Sequence, residues 1–388
     1  MPCVLGKMTT QDKIKAYCEN EIESFHDLLA TLVAIPAPSH HEEKRAQFCK
    51  EWLEKQGAEG VYIDEAKNCV YPIACEGKDD IVVFMAHTDT VFPDTDPFEM
   101  TSDGKRFYAP GVGDDTACLA AMLTVTKYLI HHDVKPKCGI LIVANSGEEG
   151  LGNLKGSGQI MRDYQGRIKR FYTFDGYYTH VICGCVGSHR YEVECLTEGG
   201  HSFSAFGKAN AIAELAELIS DLYRIEIPEK PGTKTTYNVG TIEGGTSVNT
   251  IAQQAKMLYE YRSDDLDCLE YMKQQFTKAL ERANAKGTAR FQANILGVRP
   301  CSGKVDPKEH EQMIARSISI SEAHSGIPCH REVGSTDCNI PMSMGVPSVC
   351  VGTYTGGGTH TREEYVDIAS LPIGLRICFD IMLDYFEP

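Results

Sequence analysis

A series of short polar clusters follows apolar runs or sits in glycine-rich stretches, and each holds residues able to do chemistry. His87-Thr88-Asp89 follows the run 81–86, IVVFMA. Residues two apart in an extended segment point to the same side, so His87 and Asp89 face one place. A metal-binding histidine needs its other ring nitrogen held by a carboxylate or carbonyl, which Asp89 can supply. A histidine at a strand end can equally be structural. Gly111-Val112-Gly113-Asp114-Asp115-Thr116 precedes an Ala-rich stretch and reads either as a site loop or as a glycine turn with an aspartate cap. Ser146-Gly147-Glu148-Glu149-Gly150 follows 139–145, GILIVAN. Adjacent glutamates diverge, so one can bind a metal while the other works beside it as a base. The alternative is a solvated acidic loop. Asp175-Gly176 follows 170–174, RFYTF, and Gly356-Gly357-Gly358-Thr359-His360-Thr361 precedes the last helical stretch.

Together these clusters offer His87, Asp114, Glu149, Asp175 and His360, all nitrogen or oxygen ligands with no cysteine. Such a set suits two divalent ions sharing one carboxylate. A metal pair about 3.5–4 Å apart activates a water and polarises a carbonyl. Glu148, left without a metal, would take the water's proton.

The elements that must position these groups follow from hydrophobic pattern. The continuous apolar runs 81–86 and 139–145 read as strands buried on both faces, and 170–174 as a third. Helical periodicity covers 11–34, 41–57 and 115–131, so strands alternate with helices in an α/β sheet. Ligand sites in such sheets lie beyond the carboxyl ends of the strands, where these clusters fall. The middle differs: strands at 189–196, 235–242, 255–262 and 289–296, with helices at 209–224 and 265–285, give a split βαβ layout. From about residue 307 the α/β character returns, with a strand at 347–351 and a last helix at 367–386. The expected plan is a catalytic domain, residues 1–187 and 298–388, with a mostly parallel sheet covered by helices. It is interrupted at 188–297 by an α+β, ferredoxin-like domain.

Composition narrows the function. A chain of 388 residues is long for one compact domain and suggests two. With 38 Lys plus Arg against 54 Asp plus Glu, the net charge of −16 argues against nucleic acid or an anionic membrane as partner. No apolar run reaches the roughly 20 residues of a membrane span, and the start, MPCVLGKMTTQDK, is short and polar for a secretory signal. The 16 cysteines show no CxxC spacing and read as buried small hydrophobes in a reducing cytoplasm.

The ordered series HTDTVFP, GVGDDTA, SGEEGLGNLKG, TFDG, GGHSF, GGTSVNTIA, EYR and GGGTHT resembles the M20 metallopeptidase family from about residue 20 to the end. The resemblance implies roles. His87 and Asp175 would bind one metal, Glu149 and His360 the other, and Asp114 would bridge them. The metals would be zinc, with cobalt or manganese as alternatives. Asp89 would orient His87, and Glu148 would be general base and later proton donor. His201 would reach the partner subunit's active site in a homodimer built on the inserted domain. Asn249 and Arg262 would hold the substrate's carboxylate or terminal part, a planar guanidinium suiting both oxygens of a carboxylate. The Asp114–Asp115 peptide would be cis. The activity implied is exopeptidase cleavage of short peptides in the cytoplasm.

Three readings compete with it. An N-acyl-amino-acid amidohydrolase would use the same ligands, and no motif separates its substrate pocket. A catalytically inactive binding homologue would lack part of the ligand set or Glu148, and both are present. Two-metal phosphoester hydrolysis would call for Arg or Lys clamps, whereas the strand-end loops are acidic.

Overall fold

The computed structural model describes residues 10–387. Most of the N-terminal segment read as too polar for a secretory signal, together with Cys3, lies outside them. The chain divides into two compact units, one formed by residues up to Cys183 and from Lys304 onward, the other by Gly184–Gly303.

The first unit is built on an eight-stranded sheet. Its centre is four parallel strands in the spatial order Gly139–Asn145, Ile81–His87, Ile168–Phe174, Ser348–Val351. Ile81–His87 and Gly139–Asn145 are buried at every position, so both faces are covered and no alternation is needed. Antiparallel strands extend the sheet: Cys69–Ile73 pairs with Gly139–Asn145, and His180–Cys185 with Ser348–Val351. The helices Thr10–Val33, Cys118–His131, Pro307–Ser325 and Leu371–Leu383 contribute to one apolar core with the strands. Cys118–His131 is buried almost throughout, as its Ala/Leu content suggests.

Ahead of that helix the backbone departs from helical form. Residues 112–117 make a widened turn in which Asp114 and Asp115 have non-helical angles, and their peptide bond is cis, as the resemblance implies. Gly111 sits at φ 71°, where a side chain is disfavoured. A Cβ at Gly113 would lie 2.6 Å from the Tyr354 hydroxyl. The two glycines therefore allow the loop to turn and to lie against that ring.

The second unit is a four-stranded antiparallel sheet in the order Thr235–Gly244, Gln254–Ser263, Gly187–Leu196, Arg290–Arg299. Helices Ala211–Leu222 and Leu266–Ala285 complete a ferredoxin-like arrangement. Tyr191, Val193 and Cys195 alternate inward, opposite Tyr259, Met257 and Ala255, and share a core with Tyr261 and with Leu215, Leu218, Met272 and Phe276 from the helices. All fifteen described cysteines are free thiols, and all but Cys183 are buried. No described helix is long and apolar enough to cross a membrane.

Candidate metal centre

His87 ends the strand Ile81–His87 at the carboxyl edge of the parallel sheet. Its backbone N–H donates to Asp115 Oδ2 at 2.9 Å. Its Nδ1 lies 3.0 Å from the Asp89 carbonyl oxygen and 3.5 Å from Asp89 Oδ1. Two acceptors at Nδ1 favour a proton there and direct Nε2 to the opposite side, where Asp114 Oδ1 stands at 3.1 Å.

The Asp89 carboxylate does more than face His87. Its Oδ1 accepts the Glu148 N–H at 3.0 Å, and its Oδ2 accepts the Glu149 N–H at 2.9 Å and the Ser39 hydroxyl at 2.7 Å. Burial pushes its pKa up, but the hydrogen bonds and charge of His87, with Ser39 and the Glu149 amide, outweigh this and hold it at about 2. An ionised Asp89 thus ties the His87 cluster to the Glu148-Glu149 loop.

Asp114 presents one oxygen to each of two imidazoles: Oδ1 to His87 Nε2 and Oδ2 to His360 Nε2, both at 3.1 Å. His360 Nε2 also lies 3.2 Å from Glu149 Oε1. Donor atoms of His87, Asp114 and Asp175 fall within 4.8 Å of one another, as do those of Asp114, Glu149 and His360. These two groups share Asp114 alone. A third group, His87, Glu148 and Glu149, meets the same limit and places Glu148 beside the others. His360 adopts φ 65°, a strained conformation for a non-glycine residue of the kind that clusters at functional sites.

The electrostatics of this cluster call for cations. Burial, then the Asp114 charge, push Asp175 well above the usual carboxylate range. Burial raises Glu149 to about 7, with Asp114 and Glu148 adding to it against the pull of His360. Hydrogen bonds to Asp114 and Glu149 raise His360 to about 10. A nest of carboxylates and imidazoles with no thiolate suits divalent ions that accept oxygen and nitrogen ligands.

The model of peptidase family M20/M25/M40 matches residues 83–384. The chain belongs to this family. Its homologues and structural neighbours are peptidases and related hydrolases, and it is a hydrolytic enzyme. The uncharacterised protein YqjE of Bacillus subtilis is 26% identical over 88% of this chain and 92% of its own. Peptidase T of Shewanella pealeana is 25% identical over 70% of this chain and 64% of its own. Among solved structures, a tripeptidase from Staphylococcus aureus superposes with a TM-score of 0.74 at 22% identity, covering 93% of this chain and 98% of that one.

Other residues of this M20 chain, which its sequence pattern does not mark, hold the centre together. Arg45 is buried and donates from Nε to the Ile35 carbonyl at 3.1 Å and from Nη1 to the Thr88 carbonyl at 2.8 Å and Thr116 Oγ1 at 3.3 Å. Asn145, at the end of its strand, accepts the Thr88 N–H through its carbonyl at 2.7 Å. It donates from Nδ2 to Asp337 Oδ2 at 2.6 Å. Burial, with the Glu148 charge adding, raises Asp337 to about 7. Glu364 is buried and accepts from the backbone of the Asp114 loop. Burial pushes Glu364 up to about 7 while the N–H groups of Asp114, Gly111 and Gly113 pull it back.

The second unit carries the remaining expected residues. His201 is exposed, pairs with Thr250 in a two-residue ladder, and accepts the Phe203 N–H at Nδ1, 3.2 Å away. The Asn249 carbonyl accepts the Ser202 N–H at 2.9 Å, so the two segments are neighbours. The Arg262 guanidinium forks onto Glu260, at 2.9 and 3.1 Å. Arg190 meets the same carboxylate at 3.3 Å.

Proposed function

We propose that this enzyme is a dinuclear metal-dependent exopeptidase acting on short peptides. The observation that carries the reading is Asp114, with an imidazole on each oxygen and Glu148 alongside. His87 and Asp175 would hold one ion, Glu149 and His360 the other, and Asp114 would belong to both. A bound pair of divalent ions, zinc before cobalt or manganese, acidifies water and polarises the scissile carbonyl. Glu148 takes the proton of the attacking water and returns it to the leaving amine. Asp89 keeps His87 in one tautomer and fixes the amides of Glu148 and Glu149, so base and ligand hold their relative places. Asn249 and Arg262 recognise the substrate's terminal part, and for a carboxylate Arg262 exchanges Glu260 for the substrate. The Gly184–Gly303 unit is read as a dimerisation domain that supplies His201, and the setting as cytoplasmic.

The names of relatives support peptide substrates: Peptidase T and carboxypeptidase G2 among sequences, an aminopeptidase and a dipeptidase among structures. The test is a panel of free di- and tripeptides beside N-acetylated and C-amidated forms, assayed before and after chelation. Peptide cleavage should vanish on metal removal and return with Zn, Co or Mn. Glu148→Ala should keep both metals and lose at least about 10²–10⁴ in kcat. Turnover by protein shown metal-free by elemental analysis overturns the mechanism, and turnover of N-acyl amino acids alone makes the enzyme a deacylase.

A further inference from the structure

The geometry points to Glu364 as a positioning residue for the metal centre. Its carboxylate fixes the Gly111–Asp114 loop, and through it Asp114, onto the segment that carries His360. This rests on the dinuclear reading above and names a residue through which that centre is held in shape before any ion arrives.

Glu364 is 1% exposed, and its carboxylate is met by three backbone N–H groups. Gly111 donates to Oε2 at 3.0 Å, and Gly113 and Asp114 donate to Oε1 at 2.9 and 2.8 Å. Successive N–H groups converging on one point make an anion-binding hollow, a form that in other settings takes a phosphate or carboxylate ligand. Here the chain's own carboxylate fills it. Burial without such donors would be costly for this group, so the loop and Glu364 hold each other.

The surrounding backbone shows why this side chain is needed at this point. Strand Tyr365–Asp367 pairs antiparallel with Arg106–Tyr108, and the Ala109 N–H donates to the Glu364 carbonyl at 3.2 Å. Main-chain pairing thus runs up to residue 109 and stops, because the chain turns at Gly111 with φ 71°. From there the Glu364 side chain takes over and reaches the three amides that the ladder no longer engages. The last donor is the amide of Asp114 itself, the residue whose two oxygens face His87 and His360. His360 lies four residues before Glu364, joined to it through a turn in which Thr361 donates to the Gly358 carbonyl at 2.9 Å. One carboxylate therefore sets the spacing between two candidate ligands far apart in sequence. Side chains that orient metal ligands in this way change metal affinity by about 10–100-fold when replaced.

Glu364→Gln keeps the size of the side chain and one acceptor oxygen but sets an amide NH2 against the Gly111 N–H. Glu364→Ala removes all three acceptor contacts. Zn(II) or Mn(II) alone, titrated into the metal-free protein against a competing chelator, should bind about 10–100-fold more weakly to Glu364→Gln than to wild type. Residue-resolved amide exchange on the metal-free proteins should show Gly111, Gly113 and Asp114 protected in wild type and exchanging at least tenfold faster in the variant. Unchanged metal affinity and unchanged exchange in Glu364→Gln overturn the proposal. A lowered melting temperature with no change in affinity also overturns it, since that is what a purely structural role would give. If neither variant folds, exchange of the three amides in metal-free wild type decides, and rates of an open loop reject the role. Wild type that binds no metal would sink the dinuclear reading instead, while the exchange comparison still tests Glu364's hold on the loop.

Discussion

His360 stands between Asp114 and Glu149, and the metal-free protein holds its pKa at about 10 through hydrogen bonds to both. A metal ion needs the neutral ring. At pH 7 the imidazole lies below its pKa and carries the proton, so loading must release it, and Glu149, at about 7, contributes a further fraction. Metal affinity should therefore climb as pH rises through neutrality and level off only near 10, once His360 is already neutral. Calorimetric titration of Zn(II) at pH 7 in two buffers of different ionisation enthalpy should give different heats, corresponding to release of about one to two protons per loaded centre. Equal heats would mean that loading releases no proton from His360. The expected ligands are legible as residues because each sits just past a buried apolar run or in a glycine loop. Glu364, Arg45 and Asp337 are not, because they act on backbone groups and side chains from segments remote in sequence. Glu364 follows His360 by four positions with no spacing rule to mark it.

Helix Glu43–Lys55 shows how an element serves the site from behind. Its buried Arg45 reaches the carbonyl between His87 and Asp89 and the hydroxyl of Thr116, which itself donates to the Gly111 carbonyl at 2.5 Å. One guanidinium therefore joins the strand-end cluster to the glycine loop. Burial lowers Arg45 to about 10 while Cys49, Asp89 and Asp115 act to raise it, so it stays a cation at neutral pH. Arg45→Met keeps much of the bulk and strips the donors from two buried carbonyls. The metal-free protein should lose roughly 2–6 kcal/mol, at about 1–3 for each of the two unsatisfied buried groups. Arg45→Lys should fall between, since an ammonium cannot reproduce the fork. An unchanged urea midpoint for Arg45→Met would show the guanidinium to be dispensable. At this scale the continuous apolar strands and the amphipathic helices are legible in sequence. The strands Cys69–Ile73 and His330–Gly334 are not: the first is half covered, and the second is largely exposed with charged side chains. The helical pattern seen from residue 115 begins at Cys118, because the loop geometry around Asp114 overrides the propensity of the residues there.

At the scale of the whole molecule, the two units differ in what they expose. The first buries His87 and Glu149 at the edge of a covered sheet and closes the cluster with the exposed His360, whereas the second leaves His201 in solvent beside Phe203 and Phe206, themselves 87% and 90% exposed. A histidine whose Nδ1 is occupied by a backbone N–H has Nε2 available for another molecule. The proposal that the chain forms a homodimer, and that His201 serves the partner's site, gives this exposure a purpose. Supplying one hydrogen-bond donor to the oxyanion of amide hydrolysis is worth about 2.7–4 kcal/mol, or roughly 10²–10³ in kcat. His201→Ala should lose about that much while keeping its full metal content. Complementation separates action across the dimer from action within one chain. A His201→Ala chain mixed with a Glu148→Ala chain gives heterodimers in which one site has both an intact Glu148 and an intact His201 from across the interface. Activity should then recover toward half of wild type per heterodimer. If subunit exchange is demonstrated by mass and no activity returns, His201 acts within its own chain or only braces the turn to Phe203. A chain that stays monomeric at assay concentrations while fully active would remove the partner from the mechanism altogether.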